Sequence, residues 1–342
     1  IYRDAHSLKG AARSINLTGI ESLFQVIESM FSEIREDHIK LSRDISDALL
    51  ESIKAVSTVI SSSEEIETDE NNQILTAELA TQIKKDLQLG YVPFMVIATA
   101  GTVNTGAFDD FNMIRELCDK YDCWMHIDGA FGAWLKIADD PYKKLTTGLG
   151  QADSIAFDFH KLMYVQYECG SLICRDGAFQ QQVFSIRPNY LAPHGLALAG
   201  GDPWFCDFGL ELSRSFRALK VWFTFKTYGL KKLGFAVSEN CRLAALLAEL
   251  IDQSDHFELM NKPVSTIVTF KLKNELNRDR NNKICEQIVT QLQLSGEAVF
   301  SLTLQQDYRV IRAAVINHRT REEDIKYVVD RLNQLAIEHL NT

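Results

Sequence analysis

Two short apolar runs end in the residues best suited to covalent chemistry. Ser154-Ile155-Ala156-Phe157-Asp158-Phe159 reads as a strand that runs straight into His160-Lys161. A lysine at the end of a buried strand must lose its charge or find a partner before folding tolerates it. Desolvation favours the neutral amine, which can attack a carbonyl carbon. Upstream, Trp124-Met125-His126-Ile127 reads as a second strand and ends in Asp128, followed by the small residues Gly129 and Ala130. Each feature has an ordinary reading as well. A lysine after a strand is most often a solvated turn residue, and a strand-end aspartate usually caps the next helix.

Taken together, an amine and a carboxylate at strand ends match what pyridoxal phosphate requires. The lysine holds the aldehyde as a Schiff base. The aspartate keeps the pyridine nitrogen protonated, so the ring can drain electrons.

The elements that would position these groups alternate in type. The pattern predicts helix 76–89, strand 93–99, a glycine-containing turn over 100–106, helix 110–121, strand 124–127 and strand 153–159. Strand 170–174 follows. Successive strands joined by helices imply a largely parallel sheet, with ligands beyond the carboxyl ends of its strands. Thr102, Asp128 and Lys161 would all lie at that edge. A long loop is expected over 187–207. Beyond it come a helix near 235–251, strand 265–272, helix 282–292, strands 298–304 and 309–314, and helix 321–338.

The totals set limits. The chain has 342 residues, enough for about two domains. A net charge of −10 argues against nucleic acid or an anionic membrane as the main partner. No apolar run reaches spanning length and no signal-peptide pattern opens the chain, so a cytoplasmic location is expected. The seven cysteines are spaced unlike metal ligands and are expected to be free thiols, with no metal site.

Residues 1–62 differ in character. Leu17, Ile20, Leu23, Phe24, Ile27, Met30, Phe31 and Ile34 recur at three- and four-residue steps, and Ile45, Leu49, Ile53, Val56 and Ile60 repeat the pattern. Two apolar stripes imply a helical bundle. Ahead of them, His6, Lys9 and Gly10 share one helix face. An exposed imidazole beside a cation suits a phosphoryl acceptor, although the bare spacing alone favours a histidine with no role. From His6-Ser7-Leu8-Lys9-Gly10 through Glu28-Ser29-Met30, this stretch resembles the histidine phosphotransfer (Hpt) domain of chemotaxis-type histidine kinases. The resemblance implies that His6 is the phosphoacceptor, assisted by Lys9 and oriented by Glu28, with a response-regulator receiver domain as partner. The family has a complete helix before the one bearing the histidine, so a partial bundle is expected here.

Residues 66–340 are similar to the group II amino-acid decarboxylases, pyridoxal-phosphate enzymes of fold type I. The motifs are Ala98-Thr99-Ala100-Gly101-Thr102, His126 to Gly132, Ala152 to Lys161, Leu212 to Trp222, Ser295-Gly296-Glu297-Ala298, and Arg312 with Asn317-His318-Arg319-Thr320. The resemblance implies decarboxylation of an amino acid by a homodimer. Lys161 would form the Schiff base, and His160 would contact the phosphate or the substrate. Asp128 would pair with the ring nitrogen, Ala130 would pack under the ring, and Thr102 would sit beside it. It also implies a mobile loop whose tyrosine protonates the substrate carbon across the dimer interface. Tyr190 is one candidate, and a looser alignment sets Phe205 at that position.

The expected fold class is thus α/β. A partial pyridoxal-phosphate-binding large domain (63–234) precedes an α+β small domain (235–342) and follows a partial Hpt-like bundle (1–62). The decarboxylases also carry a glycine-rich phosphate cup and a histidine stacked on the ring. The one Gly-Gly here is Gly200-Gly201, within the loop. Two truncated pieces joined near residue 62, with weakened cofactor affinity, are therefore expected. The alternative functions are a phosphorelay module acting through His6 and a catalytically inactive fusion.

Overall fold

The computed structural model describes residues 25–27, 29, 31–32, 34, 66–185, 201, 203–273 and 277–341. His6, Lys9, Glu28 and Tyr190 lie outside them. The chain divides into two compact units, residues 1–65 with 174–216 and residues 66–173 with 217–342.

In the first unit, the described positions between 25 and 34 are helical and Ile27 is buried, in keeping with the apolar period there. Helix α3 (Gly177–Phe184) starts where the Asp176 carboxylate accepts from the backbone N–H groups of Ala178 and Phe179. A single 3₁₀ turn, Phe205–Phe208, follows. It is anchored by buried Asp207, which accepts from Trp204 N at 3.0 Å and from the Ser185 hydroxyl at 3.3 Å.

The second unit opens with helix α1 (Thr76–Gln88), strand β1 (Met95–Thr99), helix α2 (Phe111–Tyr121), strand β2 (Trp124–Asp128), strand β3 (Ser154–Asp158) and strand β4 (Gly170–Cys174). The sheet order is β1-β2-β3-β4, and β1, β2 and β3 run parallel. Helix α2 shows why the local sequence folds this way. Its first turn is capped by Asp110, which accepts from Asn112 N and Met113 N. Phe111, Ile114 and Cys118 form its buried stripe, and a fully buried Ile contributes about 1.5–3 kcal/mol. Asp122 ends it in the left-handed conformation, φ 55°. One sheet face buries Val96, Ala98, Met125 and Ile127, while on the other Ile97 is 55% exposed.

Helix α4 (Arg217–Asp252) leads into β5 (Phe257–Leu259), β6 (Ile267–Leu272), helix α5 (Arg278–Ser295), β7 (Ser301–Gln305), β8 (Tyr308–Ala314) and helix α6 (Glu322–Leu340). These strands form an antiparallel sheet in the order β5-β6-β8-β7. Two hydrophobic cores result. Leu233, Val237 and Cys241 of α4 belong to the first, and Leu243, Ala244 and Leu247 to the second.

Most elements fall within a residue or two of the sequence pattern. Helix α4 is the main difference, beginning at Arg217 instead of near Phe235. Val221 and Phe225 pack on the first core, so burial favours the early turns. Gly229, at φ 72° and ψ 157°, interrupts the helix and masks its period in the sequence. The three-residue strand β5 is too short to show a period. No helix of the described residues is long and apolar enough to cross a membrane, and among them no cluster of His, Cys, Asp or Glu could hold a metal. None of the seven cysteines is in a disulfide.

Candidate active site

Three strand ends carry the site. Beyond β1 the chain folds back on itself. Gly101 N and Thr102 N both donate to Ala107 O at 2.9 Å, and Gly106 N donates to Thr102 O at 2.8 Å. The Thr102 hydroxyl lies 2.8 Å from that of Thr105 and accepts from Ala107 N at 3.0 Å. Residues in and beside the antiparallel sheet secure the same loop through three side chains. Arg312 Nε donates to Val103 O at 2.7 Å, Thr303 Oγ1 donates to the Asn104 side chain at 2.8 Å, and Ser265 Oγ donates to Gly106 O at 3.0 Å. Burial lowers the pKa of the Arg312 guanidinium. Buried Asp109 closes the loop by accepting from Thr99 N and Ile74 N. Burial raises its carboxyl pKa, with both hydrogen bonds pulling the other way.

Asp128 is the last residue of β2. It is exposed, and its Oδ1 accepts from Ala130 N at 3.0 Å. In register it pairs with Thr99 on one side and Ala156 on the other. Two residues earlier, His126 Nδ1 lies 2.7 Å from Ser154 Oγ, which also accepts from the Trp124 indole at 2.8 Å. Burial lowers the His126 pKa, and the nearby Asp128 charge partly offsets this.

β3 ends at Asp158. Lys161 Nζ lies 2.8 Å from Asp158 Oδ2, with the lysine side chain 36% exposed. His160 Nε2 is 3.6 Å from the same oxygen. His160 Nδ1 accepts from Cys169 N at 3.0 Å, and its ring meets Tyr167 edge-on at 4.5 Å. Behind β3, Trp134 packs on Phe157, Phe159 and Phe225 and donates its indole N–H to Asp158 O at 3.0 Å.

Side chains alternate along a strand, and register partners in a parallel pair share a face. Ser154, Ala156 and Asp158 therefore lie on the face of His126 and Asp128, as the His126–Ser154 contact requires. Asp158, with Lys161 bound to it, and Asp128 occupy one side of the sheet at its carboxyl edge. A lysine beyond the end of a strand needs a partner, and for Lys161 that partner is Asp158. The three-residue spacing of Asp158 and Lys161 is the one signal of this pairing in the sequence. Phe205 is 85% exposed, and its carbonyl accepts from Arg214.

The model of the pyridoxal-dependent decarboxylase conserved domain matches residues 32–273. The chain belongs to the pyridoxal-dependent decarboxylase family. The Hpt domain model matches residues 1–59. Over 275 residues, the chain is 34% identical to the aromatic-L-amino-acid decarboxylase of Bacillus atrophaeus, a match covering 80% of this chain and 57% of that protein. The corresponding enzyme of Drosophila lebanonensis is 30% identical, with 80% and 65% covered. The chain thus spans little more than half the length of the first of these relatives. Among solved structures, the glutamate decarboxylase domain of a Vibrio parahaemolyticus transaminase–decarboxylase aligns with a TM-score of 0.67 at 26% identity, covering 80% and 53%. Mouse CSAD in apo form aligns at 0.74 and 23% identity, covering 83% and 61%, which shows the same fold.

The decarboxylase family implies pyridoxal phosphate, and the donor set fits two of its three handles. A carboxylate at the β2 end suits the ring nitrogen, and an amine beyond the β3 end suits the aldehyde. The phosphate is less well served among the described residues. A helix start after β1 would be the natural anion site, but the first-turn amides of α2 already bind the Asp110 carboxylate.

Proposed function

We propose that this chain is a pyridoxal-phosphate-dependent carboxy-lyase acting on an amino acid. The observation that supports the reading best is the shared face of Asp128 and the Asp158–Lys161 pair, in a chain of decarboxylase ancestry. When bound, the cofactor supplies an aldehyde for an amine and a ring that stabilises the charge left on the substrate carbon as carbon dioxide departs. Lys161 presents the amine. Asp128 holds a proton at the ring nitrogen. Ala130 would pack beneath the ring and Thr102 would lie beside it. His160, fixed through Nδ1 with its Nε2 on the Asp158 side, would contact the phosphate or the substrate. Tyr190 would donate a proton to the substrate carbon once carbon dioxide has left it, with Phe205 the other residue that could stand at that position.

The relatives' names include aromatic L-amino acids and histidine. An amino-acid substrate is proposed for this chain on that support, together with homodimer assembly. The Asp110-capped helix start supports weakened cofactor affinity. The test is titration with pyridoxal phosphate, borohydride trapping and peptide mass spectrometry, together with carbon dioxide release. The expected result is an adduct on Lys161, absent in Lys161→Ala, that saturates only at high cofactor concentration. An adduct elsewhere, or none, overturns the enzyme reading. Tight stoichiometric binding overturns the weakened affinity.

A second reading concerns residues 1–59, whose Hpt match supports phosphorelay through His6, aided by Lys9 and Glu28, to a receiver domain. Phosphate transfer from a phosphorylated receiver to wild type but not to His6→Gln would support it. Equal transfer to both would end it.

A further inference from the structure

We propose that Asp158 is the resident counter-ion of Lys161 and restrains its amine from taking an aldehyde. The inference rests on the reading of Lys161 as the aldehyde-binding residue. The Nζ–Oδ2 distance is 2.8 Å, with the two side chains 36% and 20% exposed. The Asp158 backbone is held by the Trp134 indole, which donates to its carbonyl, and Gly170 leaves room for the carboxylate, since a Cβ there would come within 3.0 Å of Oδ1. Its other neighbour cannot relieve it of Lys161. His160 Nδ1 accepts from Cys169 N, so the proton of a neutral imidazole sits on Nε2 and faces Asp158. Both groups beside Oδ2 are therefore donors.

An ammonium has no lone pair. One proton must leave Nζ, to water or to the Asp158 carboxylate, before nitrogen can add to a carbonyl carbon. The carbonyl oxygen then takes up protons and departs as water, and a C=N bond replaces C=O. A carboxylate at 2.8 Å opposes the first of these steps while keeping Nζ in place.

The test needs no pyridoxal phosphate. The purified protein is treated with formaldehyde and cyanoborohydride near neutral pH, and methylation of Lys161 is followed by peptide mass spectrometry against the other lysines. Asp158→Asn should raise the initial rate at Lys161 about two- to fivefold, the range of a partly exposed ion pair. Asp158→Glu should keep the slow rate, because charge is retained. In wild type, added salt should raise the Lys161 rate selectively, which tests the pair even where a variant fails to fold. An Asn variant no faster than wild type, or a wild-type rate indifferent to salt, overturns the proposal. Failure here would leave the pyridoxal adduct on Lys161 untouched, and absence of that adduct would leave the formaldehyde result standing.

Discussion

Gly132 N donates to Ala100 O at 2.8 Å, and a Cβ on Gly132 would come within 2.5 Å of that same oxygen. The loops after β1 and β2 touch backbone to backbone, and the one carries Thr102 while the other follows directly on Asp128. Phe108 Cζ would also lie 2.5 Å from the added carbon. At φ −99° the conformation itself suits any residue, so the obstacle is purely steric. Gly132→Ala should cost about 1–3 kcal/mol. Urea unfolding would measure this, and a variant as stable as wild type would show that the loops can separate freely.

Arg115 and Asp153 make a second test. Arg115 Nη1 lies 2.7 Å from Asp153 Oδ2, which also accepts from Met125 N at the same distance. Arg115→Met leaves a partly buried carboxylate without its cation. The expected loss is about 1–3 kcal/mol in urea or thermal unfolding.

The loop bearing Thr102 offers a third. Arg312→Lys removes the fixed Nε–H that bonds Val103 O. Amide exchange over residues 101–107 should quicken, with the rest of β1 unchanged. Pyridoxal phosphate should bind more weakly, as read by equilibrium titration.

His126 gives a pH dependence. Burial, more than the opposing Asp128 charge, lowers its folded-state pKa. The unfolded chain then takes up a proton near pH 6.5 before the folded one does. The stability is complete above that value and is lost as the pH falls toward the folded-state pKa. Denaturation midpoints at pH 7.5 and 5.5 should differ more in wild type than in His126→Asn. Equal differences would remove His126 from the account.

Much of this arrangement was legible in the residues. The strands ending at Asp128 and Asp158 stood out because apolar runs met charged or small residues. The turn at Gly101 was marked by its glycines. What escaped was long-range. That Ser265, Thr303 and Arg312 would reach back to residues 103–106 leaves no local pattern, because such bonds depend on how the antiparallel sheet packs against the loop after β1. Asp158 escaped for a different reason. A carboxylate three residues before a lysine resembles an ordinary solvated pair until the register of β2 and β3 gives it a side of the sheet.

Helix α4 contributes buried residues to both cores, with Cys241 in one and Leu243 in the other, and no loop intervenes. A shared beam of this kind leaves no point at which one half can melt while the other stays intact. Calorimetry of this unit should therefore record a single transition. Substitutions at Val237 and at Leu247, though they weaken different interiors, should lower the same midpoint.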